Sequence, residues 1–553
     1  MSLNENYKIH GLSLGSHDFS NIRNKDKIYV DKTDLIYRIA IHDIPVFISR
    51  PRRFGKTLLL NTLYNLFSNG IEYFRGLAIE SLWHDKTYHV ARIDFSGFSS
   101  KNGKAFESAL NRRIISEFCV EDRDLYFTIS DRYLEPSELL YTILKKLPDD
   151  NIVLLIDEYD APLIHHLDKL DQIDEILEIL SDFYSIIKEY SVKFRFIFIT
   201  GLTRASHMSI FSAFNNLLDL TLMQDYNNLL GFTRNELVQF FDPYIENASN
   251  VLNISKEEVY DRIKSYYNGF SFSPFSKETI YNPWSILHFL HNPVEGFQNY
   301  WFKTAGVSTL ISKYLKANNS FDYINDKYRN VTVGNLELSS HHDIKNIPTK
   351  ILLYQTGYLT LRAKDDRKGL LLVPPNHEIE ESALRFYLMA NNVEPDQKMV
   401  DKMGEIVNDI DSRNLPAIVE LFNDILAYTV TSNSNIFYDE RSVRDIIFAA
   451  LTLVDSLTKF KEQQTSTGVS DLELITKTTH MIIEFKRTYP KDLENPNKYH
   501  RNAKTSLKEA IQQIKTHRYG KRPFQSQSRY YVAMVISTEE KCILPEYCQE
   551  VLY

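Results

Sequence analysis

Short apolar runs alternate with stretches of helical spacing throughout the first part of this 553-residue chain. The apolar runs predict buried strands at residues 46–49, 90–95, 152–156 and 194–200. Apolar residues at helical spacing fill the intervals, at 58–67, 104–118, 136–147 and 171–190. Apolar strands separated by helices predict an α/β domain over residues 1–235, built on a parallel sheet whose two faces are both covered.

The pattern changes twice further along the chain. From 236 to 430 it is mostly helical, with connectors rich in Tyr, Phe and Asn, and we expect a helical region able to contact a protein partner. From 431 to 553 it predicts a helix at about 438–462, strands around Asp471 and at 479–487, a basic helix at 502–519 and a strand at 530–537. This order predicts a separate α/β domain.

Composition and charge narrow the class of protein. With 43% hydrophobic and 25% charged residues, the chain has the composition of an ordinary folded protein and is too long for a single core. The net charge of −8 argues against a uniformly basic nucleic-acid-binding surface. No signal peptide or membrane-spanning apolar run is visible, and the three cysteines lack disulfide or metal-ligand spacing. We therefore expect a cytoplasmic protein without a membrane span, of undetermined oligomeric state.

Residues suited to bind a nucleotide follow the first predicted strand. Gly55-Lys56-Thr57 lies between that strand and an amphipathic helix, where backbone N–H groups, a lysine and a hydroxyl can bind phosphates and Mg²⁺. The general pattern has Gly six residues before the lysine, but this chain has Arg50 there. The lysine could instead simply begin the helix, and the arginines of the loop are either phosphate ligands or surface charges. The loop residues predicted to contact a nucleotide are Arg52, Arg53, Phe54, Gly55, Lys56 and Thr57.

A later apolar strand ends in Asp157-Glu158, as the strand of a Walker B element does. Asp157, with Thr57, would hold Mg²⁺, and Glu158 would polarise the attacking water. The alternative is that both residues are simply carboxylates favoured by the dipole of the next helix.

A second constellation surrounds Glu484-Phe485-Lys486. Strand alternation puts Glu484 and Lys486 on one face, and Asp471 can face Glu484 if the two strands pair as a hairpin. Glu440, at the start of the preceding helix, could complete the ligands of a metal ion. Clustered carboxylates that bind Mg²⁺, with a lysine that orients water, are suited to phosphodiester cleavage. The alternative is a core-facing hairpin with a surface ion pair, and a Glu440 that only caps its helix.

Local charge is consistent with a polyanionic partner. Between Lys486 and Arg522 there are eleven Lys or Arg and three Asp or Glu, within a chain of net charge −8. A basic helix beside a metal site suits a phosphate backbone. The alternative is a basic helix that faces only water.

At these residues the chain resembles the AAA-ATPase-like proteins that carry a C-terminal PD-(D/E)xK nuclease-superfamily domain. The resemblance rests on the sequences at 29–33, 50–57, 155–160, 231–233, 281–285, 354–359, 468–471 and 509–519. It implies a P-loop ATPase that uses ATP and Mg²⁺, with DNA or RNA as the partner of the second domain. It also implies that Gln513 points at the second site from a neighbouring helix. Arg50 is usual in that family, whereas Val469 stands where an Arg is common.

Two functions are consistent with these observations. The first is an ATPase coupled to a metal-dependent nuclease that cuts nucleic acid phosphodiesters. The second is a nucleotide-controlled switch, or a nucleic-acid-binding protein with an inactive nuclease fold. Negligible ATP turnover and a nucleic-acid affinity insensitive to Asp471→Ala would distinguish the second from the first.

Overall fold

The computed structural model describes residues 11–98, 102–119, 134–166, 170–204, 214, 216–301, 331–340, 347–363, 370–390, 397–429, 440–451, 454, 457–465, 468–488, 496–517, 528–537 and 539–552. Among them, the residues up to Glu380 form one compact unit and those from Glu381 onward form a second. The three-domain division at 235 and 430 stays a prediction. Within the described segments, no helix combines the length and the apolar character needed to cross a bilayer.

The first unit is organised around a parallel sheet. Its described strands are β1 (Val46–Ser49), β2 (His89–Asp94), β3 (Ile152–Asp157), β4 (Phe194–Gly201) and β5 (Leu218–Asp219). They lie in the order β2-β3-β4-β1-β5, and every pairing is parallel. β1 and β3 are buried along their whole length, as expected for a parallel sheet. The predicted parallel sheet is confirmed, and the carboxyl ends of its strands meet at one edge, where such sheets bind ligands.

Helices accompany this sheet along the chain. They are α1 (Phe19–Asn24), α2 (Thr33–Ala40), α3 (Lys56–Asn69), α4 (Gly103–Phe118), α5 (Pro136–Leu144), α6 (Ala161–Ile164) and α7 (Leu170–Glu189). α3 buries Leu59, Leu63 and Leu66 at helical spacing and packs against β2, β3 and β4. Its first turn is joined to the carboxyl end of β1 by the six-residue loop 50–55.

A mostly helical region completes the first unit, as predicted. Its helices are α8 (Arg234–Leu252), α9 (Lys256–Tyr267), α10 (Pro283–His291), α11 (Asn335–Ser339), α12 (Thr349–Gln355) and the start of α13 (His377–Ala390). α8 begins with a capping box, in which Thr233 and Glu236 each accept a hydrogen bond from the other's backbone N–H. A small antiparallel sheet, not predicted, contains β6 (Val331–Val333), β7 (Thr360–Ala363) and β8 (Leu370–Val373).

The second unit is a mixed sheet between helices. Its elements are α14 (Gln397–Asp411), α15 (Leu415–Thr429), α16 (Glu440–Leu451), β9 (Thr458–Thr465), β10 (Gly468–Ile475), β11 (Thr479–Thr488), α17 (Pro496–His517), β12 (Ser528–Ser537) and β13 (Cys542–Glu550). The strand order is β13-β12-β11-β10-β9, and only β11 and β12 are parallel. Ile483 lies on the sheet face that packs against α14, α15 and α16. Ile482 lies on the opposite face, which packs against α17.

The helix predicted at about 438–462 is wrong at its C-terminal end. α16 ends at Leu451, and residues 458–465 form β9, which pairs antiparallel with β10. β9 has the sequence TKFKEQQT, in which Phe460 is the one apolar residue. Edge strands often carry such residues because they discourage pairing with other chains. The sequence of an edge strand therefore gives little apolar signal.

Candidate nucleotide and metal sites

The loop between β1 and α3 has the backbone shape of a phosphate-binding loop. Arg53 and Gly55 both have positive φ, at 68° and 95°, and α3 begins at the next residue, Lys56. A Cβ atom on Gly55 would have no neighbour within 4 Å, so the backbone there borders open space. Backbone N–H groups at a helix N-terminus attract anions, and a glycine lets a phosphate approach the chain closely.

Lys56 lies inside the loop rather than in solvent. Its side chain is buried, and Nζ donates to the carbonyl oxygens of Arg50 and Pro51 at 3.0 and 3.3 Å. Burial lowers the pKa of Lys56, while the nearby carboxylates of Glu158 and Asp157 oppose that shift. The ammonium is therefore held against the backbone of the loop, and its predicted contact with the outer phosphates of a nucleotide stays a prediction.

Arg50 occupies the position where the general pattern has glycine. Its guanidinium is buried, donates to the carbonyl oxygens of Thr221 and Tyr226 at 2.8 and 3.0 Å, and lies 4.3 Å from the centre of the Phe272 ring. Burial lowers its pKa to about 10. Arg50 thus fastens the base of the loop to the segment after β5, and its side chain makes these contacts instead of extending into the loop.

The carboxylates at the end of β3 lie beside this loop. Burial raises the pKa of Asp157 to about 6; Lys56 and the Thr57 hydroxyl oppose that shift, and Asp94 adds to it. Glu158 is partly exposed and has a positive φ of 47°, which an L-residue seldom adopts. The structure thus brings together Lys56, Thr57 and Asp157, which the sequence had predicted as one site.

Asp160, which the sequence analysis did not single out, ties the loop after β3 to the loop after β4. Its carboxylate is fully buried and accepts hydrogen bonds from the Leu202 N–H at 3.1 Å and from the Thr203 N–H and hydroxyl, each at 2.6 Å. The Tyr159 hydroxyl donates to the Thr203 carbonyl at 3.0 Å. These bonds fix the backbone on the C-terminal side of Glu158.

Aromatic residues from the helical region pack on the outer side of the phosphate loop. Phe54 packs edge-on against Phe270 and Phe272, with ring centres 4.8 and 5.1 Å apart. The Arg53 guanidinium lies 3.9 Å from the centre of the Trp284 ring. We call these four aromatic residues, Phe54, Phe270, Phe272 and Trp284, the aromatic clasp. The connectors that carry three of them gave no sign in the sequence of being near the loop.

A cavity of about 720 Å³ lies against the loop and is large enough for a nucleotide. Its polar end is lined by Arg52, Arg53, Gly55, Lys56, Thr57, Asp94 and Glu158. Its more apolar part is lined by Ile28, Val30, Leu230, Phe241, Trp284 and Leu287. An ammonium, a hydroxyl and a helix N-terminus at one end, with apolar walls elsewhere, suit a triphosphate with an attached base.

The second constellation assembles on one face of the mixed sheet. Leu472 pairs with Ile483 in antiparallel register, so Asp471 stands opposite Glu484 on the same face. The Asp471 carboxylate accepts a hydrogen bond from the Phe485 N–H at 2.8 Å. The Lys486 ammonium donates to the buried Glu484 carboxylate at 3.1 Å. Asp471, Glu484 and Lys486 therefore lie together, as the sequence predicted from the hairpin.

α16 brings two further charged residues to this cluster. Glu440 accepts a hydrogen bond from the Arg487 N–H at 2.8 Å and lies 3.9 Å from the Lys486 ammonium. Arg444, one turn later, is buried, with its guanidinium 4.0 Å from the Asp471 carboxylate. Sequence reasoning missed Arg444, although its spacing of four residues from Glu440 places both on one side of a helix.

Burial and neighbouring charges set the protonation of this cluster. Burial raises the pKa of Asp471, against the opposing influence of the Phe485 N–H and of Arg444 and Lys486. Burial works against the charge of Lys486, but Glu484 and Glu440 outweigh it and raise the lysine pKa. The lysine is thus held as a cation among carboxylates.

Comparison with known proteins identifies both regions. Residues 13–211 match the AAA-ATPase-like family, described as "Predicted AAA-ATPase", and residues 438–546 match the PD-(D/E)XK nuclease superfamily. The chain combines an AAA-ATPase-like domain with a PD-(D/E)XK nuclease-superfamily domain. It is also 27% identical over 497 residues to an uncharacterized protein in the vnfD 5′ region of Azotobacter chroococcum mcd 1, covering 86% of this chain and 89% of that protein.

In the PD-(D/E)XK domain, the carboxylates do not form a closed metal cage. Within the segments that the structure describes, no group of three or more His, Cys, Asp or Glu side chains is arranged to hold a metal ion. Asp471 and Glu484 nevertheless face one another, and Mg²⁺ commonly binds through one or two carboxylates and several waters. The pair therefore fits Mg²⁺. Glu440 contacts Lys486 and Arg487, and its role as a further metal ligand stays a prediction. Gln513 lies partly exposed on α17, which packs against β11 and β12, and its role stays a prediction.

Proposed function

We propose that this chain is an ATP-binding hydrolase whose AAA-ATPase-like domain controls metal-dependent cleavage of nucleic acid by its PD-(D/E)XK domain. The observation that carries the proposal is the convergence of Asp471, Glu484 and Lys486 on one sheet face. The nucleotide half is supported by the buried Lys56 at the start of α3, beside Thr57 and Asp157. Three cysteines present as thiols support a cytoplasmic location.

In the AAA-ATPase-like domain, the residues divide into three tasks. Lys56 binds the outer phosphates of ATP, and the backbone N–H groups around Gly55 bind phosphate oxygens. Thr57 and Asp157 would hold Mg²⁺, which neutralises phosphate charge when bound. Glu158 accepts a proton from the attacking water, and its backbone is fixed by the neighbouring Asp160. Arg52 and Arg53 line the polar end of the cavity and add positive charge for the triphosphate.

In the nuclease domain, Asp471 and Glu484 would hold Mg²⁺, which makes bound water a stronger nucleophile and offsets charge on the phosphodiester. Lys486 keeps the Glu484 carboxylate oriented through their 3.1 Å hydrogen bond. Its ammonium also supplies positive charge for a scissile phosphate. Arg444 lies 4.0 Å from Asp471 and adds positive charge beside it, and Glu440 lies 3.9 Å from Lys486.

A specific observation favours a second function: the charged side chains of the nuclease cluster pair with one another. Lys486 lies between Glu484 and Glu440, so the carboxylates are already partly neutralised by a protein cation. A nuclease fold that has lost its metal would contain such pairs. In this alternative, ATP controls a switch whose helical region recognises a protein partner, and the PD-(D/E)XK domain only binds nucleic acid.

Cleavage by the purified full chain tests the proposal. Supercoiled DNA, single-stranded DNA and RNA are each incubated with Mg²⁺ or Mn²⁺, with and without ATP. We expect ATP-stimulated cleavage of at least one substrate, abolished by Glu484→Ala and, for the stimulated part, by Lys56→Ala. Matched controls are Glu509→Ala on the exposed face of α17 and Lys104→Ala on the surface of α4, which should behave as wild type.

Two results would decide against the nuclease proposal. The first is no cleavage of any substrate under every metal and nucleotide condition. The second is cleavage that survives Glu484→Ala unchanged, which would point to a contaminating nuclease. Tight ATP binding without turnover or cleavage would instead support the switch.

A further inference from the structure

A row of cations lies on the outer face of α17. The helix contains five Lys or Arg and one Glu. Arg501, Lys504, Lys508 and Lys515 are exposed, and their spacing of three, four and seven residues places them on one side of the helix. We call these four residues the basic row. It extends about 21 Å along the helix axis, at 1.5 Å for each residue.

The basic row faces away from the sheet. The buried side of α17 is formed by Tyr499, Ala503, Ala510 and Ile514, which pack against residues of β12 and its neighbours. These apolar positions follow the same helical spacing on the opposite side of the helix. The basic row is therefore held on a rigid element that is anchored by its own apolar stripe.

The charges of the basic row are not balanced within the domain. Within the part of the chain that the structure describes, none of the four cations forms an ion pair with a carboxylate. The one acidic residue of α17, Glu509, has Thr505 and Gln513 four residues away on either side, so no cation lies at pairing distance along the helix.

Two other surface helices of this chain each pair an arginine with a glutamate of the same helix. Arg113 pairs with Glu117 within α4, and Arg262 pairs with Glu258 within α9, each at a spacing of four residues. α17 differs in having four exposed cations on one face of a single helix that contains one Glu. Because like charges three or four residues apart destabilise a helix, a bound anion would stabilise this row.

We propose that the basic row binds the sugar–phosphate backbone of a nucleic acid duplex. The inference rests on the proposed function, since α17 covers the sheet face that carries Asp471 and Glu484. Exposed residues beside the row are Thr505, Gln512 and Thr516, so the face lacks the apolar anchors that protein partners use. Regularly spaced cations flanked by hydroxyl and amide groups suit phosphates, which bind without sequence preference.

Salt-dependent duplex binding tests this proposal. The full-length chain is titrated into a fluorescently labelled DNA duplex in EDTA, over about 50 to 200 mM salt. The variant replaces Arg501, Lys504, Lys508 and Lys515 by Gln, which keeps helix propensity. We expect weaker binding and a log–log salt slope reduced by up to about 3.6, because each lost phosphate contact removes about 0.9.

Charge-matched variants separate the row from net charge and from misfolding. One control replaces the exposed Lys104, Lys146, Lys188 and Lys264 of the first unit by Gln and should bind as wild type. A second exchanges Lys and Arg within the row and should retain the affinity. Circular dichroism and thermal melting verify the fold of each variant.

The outcomes distinguish this proposal from the proposed function. If the Gln variant and the control lose affinity equally, or neither loses any, the basic row is not the binding surface. The same conclusion follows if wild type binds an acidic protein or anionic vesicles but no duplex. Loss of binding in the Gln variant, without cleavage by wild type, supports the row and contradicts the nuclease. Cleavage that depends on Glu484 but not on the basic row supports the nuclease and contradicts the basic row as the binding surface.

Discussion

At the scale of single residues, Asp157 shows how a site can be built at the expense of stability. An aspartate normally ionises near pH 3.8, whereas burial raises the pKa of Asp157 to about 6. Between these two pH values the folded chain keeps a proton that the unfolded chain releases, so stability falls as the pH rises. Above pH 6 the whole penalty remains, on the order of 2–3 kcal/mol. A bound divalent cation would offset it.

We therefore predict that Asp157→Asn stabilises the nucleotide-free protein at pH 7.5 and has little effect at pH 4. The amide removes the charge that burial opposes and keeps the shape of the side chain. Thermal unfolding at both pH values measures the difference. The same variant should lose the stabilisation that Mg²⁺-ATP gives to wild type. Parallel pH profiles for variant and wild type would contradict the assignment.

Asp160 represents a different kind of residue, one that acts through its neighbours. Its carboxylate accepts hydrogen bonds from Leu202 and Thr203 and is separated from Glu158 by a single residue. We predict that Asp160→Asn lowers kcat for ATP hydrolysis about tenfold or more while ATP affinity changes little, because the phosphate loop does not depend on it. Single-turnover hydrolysis and equilibrium ATP binding separate these quantities.

A buried carboxylate elsewhere provides the control for that experiment. Glu378 is fully buried and accepts hydrogen bonds from the Ser285 hydroxyl and the Trp301 N–H. Glu378→Gln should destabilise the protein by a similar amount, about 1–3 kcal/mol for a disturbed buried bond, without a selective loss of kcat. If both variants lower hydrolysis in proportion to stability, Asp160 is only structural.

At the scale of elements, the aromatic clasp connects the phosphate loop to α10 and to the segment around Phe270. The contact between Arg53 and Trp284 is 3.9 Å, and Arg53 holds a positive φ that costs the loop about 1 kcal/mol or more. A cation–π contact contributes about 0.5–2 kcal/mol, enough to maintain that conformation without a nucleotide. A triphosphate competes for the same guanidinium.

We accordingly predict that ATP changes the fluorescence of Trp284, because binding draws Arg53 away from the ring. The change should be present in wild type and in Trp83→Phe, whose tryptophan lies in a separate cluster with Phe67, and absent in Trp284→Phe. Titration with ATP and Mg²⁺ gives the affinity directly. An unchanged signal in wild type, at ATP concentrations that saturate binding, would show that Arg53 stays on the ring.

The regular elements of the sheet could be predicted because they carry strong local signals. β1, β3 and β4 are mainly apolar, and their predicted limits agree with the structure to within one residue. β9 was missed because an edge strand needs no apolar run. β6, β7 and β8 were missed because they are short strands within a stretch whose pattern is otherwise mostly helical.

At the scale of the whole molecule, site residues that belong to a local sequence pattern could be predicted, and residues that only tertiary packing brings to the site could not. Strand alternation places Glu484 beside Lys486, and a hairpin brings Asp471 to them. Trp284 lies more than 200 residues from the phosphate loop, and no local pattern indicates that α10 packs there. The sequence showed Arg50 only as a departure from the general motif. Its partners are backbone carbonyl oxygens 171 and 176 residues away in the chain, and no sequence pattern indicates such contacts.

The coupling of the two domains can be tested with two variants, one that blocks ATP binding and one that blocks only ATP hydrolysis. Lys56→Ala removes the cation that binds phosphate, so ATP should not bind. Glu158→Gln keeps every phosphate contact and removes the base, so ATP should bind without turnover. If ATP binding licenses the nuclease, Glu158→Gln should still cleave with ATP, and Lys56→Ala should remain at the ATP-free rate. Cleavage is measured beside ATP hydrolysis for each variant, with Glu484→Ala as the blank. Cleavage that fails in both variants would instead make hydrolysis the trigger, and cleavage unaffected in both would show that the two domains work independently.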